Sequence, residues 1–334
     1  MVVRHLKYTI SSGETQSAAY INIAKDLSAI NRQLFRQGRM YKVKSLTVVD
    51  NDQEKFVQVG IAPDSWAMRN AVKRAFRRWN EMNMQVLEEQ PSLKARWNDF
   101  KPYLSKRHFD AEKGTAGTVE TPEDMNGNNL RYGNWSYSTF EAPVDSANND
   151  VDGYEVAILG NHEGSGTNYS RVGLIKSYGD ARGTVNNREP NTSVGFASDD
   201  PLVNLLDAGT QYDEIAENII AEGVAPPYYM PVTPLQSPGD RYAGGTDNMP
   251  EEIMIAEFNS SSQTEGVQRI FGFNVPLGVI RLDHSTASGT TNFTVIVEVA
   301  EGSYKGVHSE SLVDAKSGTW ASSRKGGKTT KRIG

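Results

Sequence analysis

The chain has 334 residues, 37% of them hydrophobic and 23% charged, with no cysteine and a formal net charge of −6. That length can bury a large core, as one domain or two, and the missing cysteine removes disulfide frameworks, thiolate metal sites and thiol nucleophiles. The opening residues carry no apolar h-region, and no apolar run approaches the roughly 20 residues that span a bilayer, so neither a secretory leader nor a membrane span is expected.

Residues 1–16 read as a short strand, swapped or clamped onto a neighbour, and 20–24 as a second strand. A short helix comes next, with Ser28 as N-cap, Ile30, Leu34 and Phe35 as its apolar stripe, and Gly38 as its stop. Strands at 41–49 and 56–61 flank an Asp50-Asn51-Asp52 turn. The strongest helical pattern lies just beyond them. Asp64 or Ser65 can cap it, Pro91 sets its far limit, and Trp66, Val72, Ala75, Phe76, Trp79 and Met82 recur at helical spacing. Its other side carries Arg69, Lys73, Arg74, Arg77 and Arg78, either a solvated face paired with the acidic body or a contact for phosphates or a neighbouring subunit.

A second helix is expected over 92–104, around Trp97, Phe100 and Tyr103, then a long surface loop over 105–130. Strands resume at 132–140, 154–159 and 171–177. Residues 179–250 hold eight of the 14 prolines and one helical island opened by Asp200-Pro201. This stretch reads as a long loop insertion, on the outer surface or in subunit contacts. The last third is again β: 252–258, 267–273, 277–282, 293–299 and 304–308. In the clearest of these, Phe293, Val295, Val297 and Val299 share one face. Ten to twelve short strands without βαβ alternation predict a mainly β fold, a β-sandwich or jelly roll with helical insertions, over residues 1–314.

Motifs for chemistry are incomplete. Gly160-Asn161-His162-Glu163 lacks the upstream ligands of a two-metal site. Gly326-Gly327-Lys328-Thr329 lacks the upstream glycine and the trailing helix of a phosphate loop. The five histidines stand far apart, and no Gly-x-Ser-x-Gly elbow occurs. No cofactor, metal or catalytic set is expected, and the chain does not read as an enzyme.

The C-terminal 20 residues, 315–334, differ from the rest. They hold Lys316, Arg324, Lys325, Lys328, Lys331 and Arg332, with no acid after Asp314, while residues 1–314 carry 29 basic and 41 acidic residues, a net of −12. Basic residues spaced by Gly, Ser and Thr make a flexible polycation suited to a phosphate backbone. Arg324-Lys325 and Lys331-Arg332 also suit a nuclear-targeting signal.

Several stretches resemble the capsid proteins of circular single-stranded DNA viruses that encode a replication initiator, the CRESS-DNA group. These are Ile23-Ala24-Lys25-Asp26-Leu27-Ser28 with Asn31-Arg32-Gln33-Leu34-Phe35-Arg36-Gln37-Gly38, Ile61-Ala62-Pro63-Asp64-Ser65-Trp66 with Phe76-Arg77-Arg78-Trp79-Asn80-Glu81-Met82-Asn83, and Ala95-Arg96-Trp97-Asn98-Asp99-Phe100-Lys101. The likeness covers roughly 20–104 and, more loosely, 250–312. It implies a single jelly roll of eight strands, a closed icosahedral shell of about 60 copies, a packaged single-stranded DNA genome, a host receptor, and location in the virion with passage through the host nucleus. Many such proteins carry an Arg-rich N-terminal arm; here the first 25 residues hold only Arg4, Lys7 and Lys25. At about 60 copies the tails supply about 360 positive charges, against the roughly 1,000 phosphates of the chain's own gene, so they can tether DNA but not neutralise it. The competing reading is a carbohydrate- or receptor-binding β-sandwich, and a more distant one a hydrolase on a β scaffold.

Overall fold

The computed structural model of the chain describes residues 2–50, 55–93, 99–130, 135–143, 151–165, 168–179, 252–260 and 266–313. In chain order these form β1 (His5–Ser12), β2 (Ser17–Asn22), α1 (Ile23–Asn31), β3 (Arg39–Asp50), β4 (Lys55–Ile61), α2 (Trp66–Glu89), a 3-10 turn (Pro91–Leu93), α3 (Lys106–Glu112) and β5 (Thr118–Val119). They continue with β6 (Thr139–Pro143), β7 (Val151–Ala157), β8 (Glu163–Ser165), β9 (Asn168–Gly173), a helical stretch at 174–179, β10 (Ile253–Ser260), β11 (Gly266–Pro276), β12 (Val279–Thr286), β13 (Thr291–Val299) and β14 (Ser309–Ser311).

The protein is mainly β, and its centre is a β-sandwich. One antiparallel sheet runs β1-β13-β3-β11, with β14 added on β3. The other runs β10-β4-β12-β2, extended by the parallel β5. The period-2 pattern explains the packing. In β1 the burial alternates strictly, so Leu6, Tyr8 and Ile10 enter the core while His5, Lys7, Thr9 and Ser11 face out. Phe293, Val295, Val297 and Val299 do the same from β13, and Val57, Val59, Ile280 and Leu282 meet them from the other sheet. Each such side chain, fully withdrawn from water, contributes about 1.5–3 kcal/mol.

The second sheet is covered on its outer face around β2, while Met254, Gln58 and Glu257 leave that face exposed at β10 and β4. Tyr20 points away from the sandwich core and stacks on His108 of α3, ring centroids 4.9 Å apart. The covering elements come from the long segment between β4 and β10, two strands that lie side by side with Ile61 opposite Ile253. That segment includes α2, α3 and a small sheet ordered β6-β7-β9-β8. Its own core gathers Met68, Val72, Phe100, Leu104, Ile158 and Leu174.

Several local expectations are corrected. β1 pairs with β13 of its own chain, from His5 opposite Glu298 to Ser12 opposite Thr291. Helix α1 is capped by Asn22, whose Oδ1 accepts from Lys25 N at 3.2 Å; Ser28 lies inside it. The Ser28 hydroxyl donates to Ala24 O (2.7 Å) and accepts from Phe35 N (2.8 Å), tying the helix to the loop after it. The helix ends at Arg32, in left-handed conformation, and does not reach Gly38. Of the expected helix at 92–104, residues 99–104 are not helical: Tyr103 N donates to Val156 O (2.8 Å) and Ile158 N to Tyr103 O (2.9 Å), so this stretch docks along β7. Nor is 105–130 a plain loop, since α3 buries His108 and Ala111. The strand expected over 304–308 reduces to a bridge between Tyr304 and Val307, and the pairing moves to β14. Residues 180–251 and 314–334, which include the proline-rich stretch and the basic tail, lie outside the described residues.

Candidate nucleic-acid interface

Helix α2 divides along its length. Ser65 caps it, its Oγ accepting from Met68 N at 3.2 Å. Ala67, Met68, Ala71, Val72 and Ala75 bury the first half, and Phe76 and Trp79 pack on Phe100. With these residues inward, the cations are turned outward, but they do not form one equivalent face. The Arg69 guanidinium takes Asp64 with two nitrogens, at 2.6 and 3.1 Å, and Glu310 of β14 with the third, at 2.8 Å. Its charge is committed to locking the helix start to β14. Lys73 is half-buried and Arg77 exposed. Arg78 reaches Glu81 only loosely, at 3.7 Å with both side chains in water, which is worth little.

Arg74 and Arg78, one helical turn apart, line a cleft of about 180 Å³ between α2 and the small sheet. Its floor is aromatic and aliphatic: Phe140, Tyr154, Val156, Leu174 and Tyr178. The Phe140 and Tyr154 rings lie nearly parallel, 9° apart with centroids at 5.9 Å, and Trp66 meets Tyr178 edge-on. Burial pushes the Tyr154 phenol up, and the Arg78 charge partly pulls it back. Phe140, Val156 and Leu174 are buried, so the arginines and the partly exposed Tyr154 and Tyr178 are the groups that could meet a single strand, by charge on the backbone and by stacking on a base face. The sequence pattern pointed to the cations; it could not supply the floor, because Phe140, Tyr154 and Tyr178 belong to strands and a helical stretch far along the chain. Lys316, Arg324, Lys325, Lys328, Lys331 and Arg332 lie outside the described residues.

A second, larger cleft of about 830 Å³ opens beside α3 and the start of β2. Its charges are largely matched. Arg281 binds Asp283 through two nitrogens (2.8 and 2.7 Å) and Glu252 through the third (2.7 Å), and Ser105 Oγ donates to Glu252 at 2.7 Å. Arg107 and Asp110 complete the rim.

The acid–base groups of the Gly160–Glu163 turn are occupied by the fold. His162 Nδ1 accepts from Gly173 N at 3.2 Å, and Glu163 is held by Lys106 and Arg171. Among the described residues no group of three or more His, Asp or Glu could hold a metal ion. Between α1 and α3, Lys25 Nζ donates to Glu112 (2.7 Å), Tyr137 Oη donates to the same oxygen (2.7 Å), and His108 Nε2 lies 3.4 Å from Tyr137 Oη. His108 Nδ1 accepts from Leu104 N at 3.0 Å, and burial pushes its pKa down to about 3, so the ring is neutral. This network joins the inserted segment to the sandwich.

No protein-family model, curated protein or solved structure matches the chain.

Proposed function

We propose that this chain is a viral coat protein, a single jelly roll that assembles with copies of itself into a closed icosahedral shell and holds single-stranded DNA by nonspecific electrostatic contact. The observation that carries the reading is strand order. Counting only the eight strands of the two sandwich sheets other than the short β5 and β14, namely β1, β2, β3, β4, β10, β11, β12 and β13, one sheet runs first, eighth, third, sixth, and the other fifth, fourth, seventh, second. That order is the one expected of two interlocked Greek keys, which supports a jelly roll over other sandwiches. Jelly rolls also serve lectins and cupins, so function rests on further features. These are the family-like stretches in α1 and α2, the basic tail, and the arginine-lined aromatic cleft. The long segment between the fourth and fifth strands offers surface for subunit and receptor contacts. The tail would tether the genome, target the nucleus, or both.

The test is size-exclusion chromatography of nuclease-treated protein with absorbance read at the nucleic-acid and protein maxima. Very large particles carrying protected nucleic acid are expected, and deletion of 315–334 lowers the nucleic acid retained. A nucleic-acid-free monomer of 36.8 kDa at every salt concentration and pH would overturn the proposal. The larger cleft favours a second reading, a carbohydrate- or receptor-binding module; glycan-array binding by a stable monomer would select it.

A further inference from the structure

The sheet β1-β13-β3-β11 has two edges, and they are finished in opposite ways. The β1 edge is covered. Glu123 N donates to Lys7 O at 2.9 Å, and Lys7 Nζ pairs with Glu123 at 3.1 Å. The covering segment then makes a tight turn. Asp124 Oδ1 accepts from Asn126 N and Asn128 N, both at 2.8 Å, and Gly127 takes the left-handed conformation that closes it. The turn holds Met125 out in solvent, 104% exposed on the relative scale. Between Thr115 and Leu130 there are three acids, Glu120, Glu123 and Asp124, and no Lys or Arg.

The β11 edge has no strand beside it among the described residues. It is eleven residues long and lacks the dense charge that usually protects such an edge. Val267 (64% exposed) and Phe271 (67% exposed) stand on its outer side, with Arg269 between them and its guanidinium 5.6 Å from the Phe271 ring. The strand contains no acid, and exposed Lys42 and Lys44 lie next to it on β3, Lys44 held by Glu298 at 2.7 Å.

We propose that these two edges bind each other between copies: the Met125 turn of one subunit seats on the Val267–Phe271 edge of the next. An apolar tip beside the exposed Asp124 carboxylate faces an apolar strip flanked by Arg269 and Lys42, so shape class and charge both match. Because the two surfaces sit at opposite edges of one sheet, the contact is head-to-tail. Each copy donates one edge and receives on the other, and repetition closes a ring or continues into a shell. The inference rests on the coat-protein reading and specifies one of its contacts.

The cysteine-free sequence makes the test direct. Met125→Cys and Phe271→Cys are placed singly and together, and the assembled protein is treated with a short bis-maleimide. The two single variants, co-assembled, are expected to give a cross-linked dimer, neither alone should cross-link, and the double variant should give a ladder. Phe271→Asp should leave a folded subunit, by circular dichroism, that no longer assembles. Shells that form without any 125–271 cross-link would overturn this contact and leave the coat-protein reading standing. Cross-linking of Phe271→Cys alone would replace it with a symmetric edge pairing. Wild-type protein that never assembles would overturn both.

Discussion

The sandwich core and the core of the inserted segment are built from different chemistry. In the first, Leu6, Ile10, Val48, Val59, Leu282 and Val297 interdigitate, and the polar group at its border, the Tyr8 hydroxyl, is bound to Asp26 at 2.6 Å. In the second, aromatic rings surround α2, and the seam to the sandwich is the Lys25–Glu112–Tyr137–His108 network. The apolar packing gains stability from area removed from water, and the sandwich's own buried titratable groups, His284 and the Lys55–Asp50 pair, are gathered toward one end of it. The polar seam gains little net energy from its ion pair but penalises any unpaired state, so it fixes how the inserted segment sits and makes that placement sensitive to acid.

Breaking the two regions should separate them. Phe293→Ala, deep in the sandwich, is expected to cost about 3–5 kcal/mol in denaturant unfolding of the unassembled subunit. Glu112→Ala removes the carboxylate that holds the buried Lys25 ammonium and should cost about 3 kcal/mol, while the joint replacement Lys25→Met with Glu112→Leu should recover most of it. Recovery would mark the pair as a positional device; a double variant as weak as the single one would contradict that.

Acid should weigh on the seam through His108 and on the sandwich through His284, which burial also pushes down. His108 is pushed from 6.5 to about 3 by burial, so between those values the unfolded chain binds a proton that the folded chain does not. Stability therefore falls as pH drops from about 6.5 toward 3. Burial alone would raise Glu112, but the Lys25 charge together with the hydrogen bonds from Lys25 and Tyr137 outweighs it and holds the carboxyl below its ordinary value, so its contribution is also lost in acid. Thermal unfolding of His108→Gln should show a flatter pH dependence between pH 6.5 and 4 than the wild type; an unchanged slope would remove His108 from this role. The smallest effect expected is on DNA binding. Arg74→Ala with Arg78→Ala should reduce the salt slope for single-stranded DNA by about 1.4, and Arg69→Ala should leave it unchanged.

How much of the molecule is legible in its sequence depends on which forces are local. The alternation in β13 and β1 and the apolar stripe of α2 can be read directly, because each is set by burial on one face. The cap of α1 cannot, since Ser28 suits a cap by residue type while the cap is Asn22, at the end of a strand. Residues 99–104 look helical by aromatic spacing, but their backbone is claimed by β7; Pro102 in their midst carried the warning. His108 and Ala111 sit in a polar stretch whose burial depends on Tyr20, some ninety residues earlier. Of the candidate interface, the cations were legible and their inequality was not, because the Glu310 that occupies Arg69 lies at the other end of the chain.

Negative-stain electron microscopy of the purified full-length chain, across a range of salt concentrations and pH, tests the central proposal most directly. Closed shells of uniform diameter, dissolving to subunits when Phe271 is changed to Asp, are the expected result. Dispersed single subunits under every condition would contradict it.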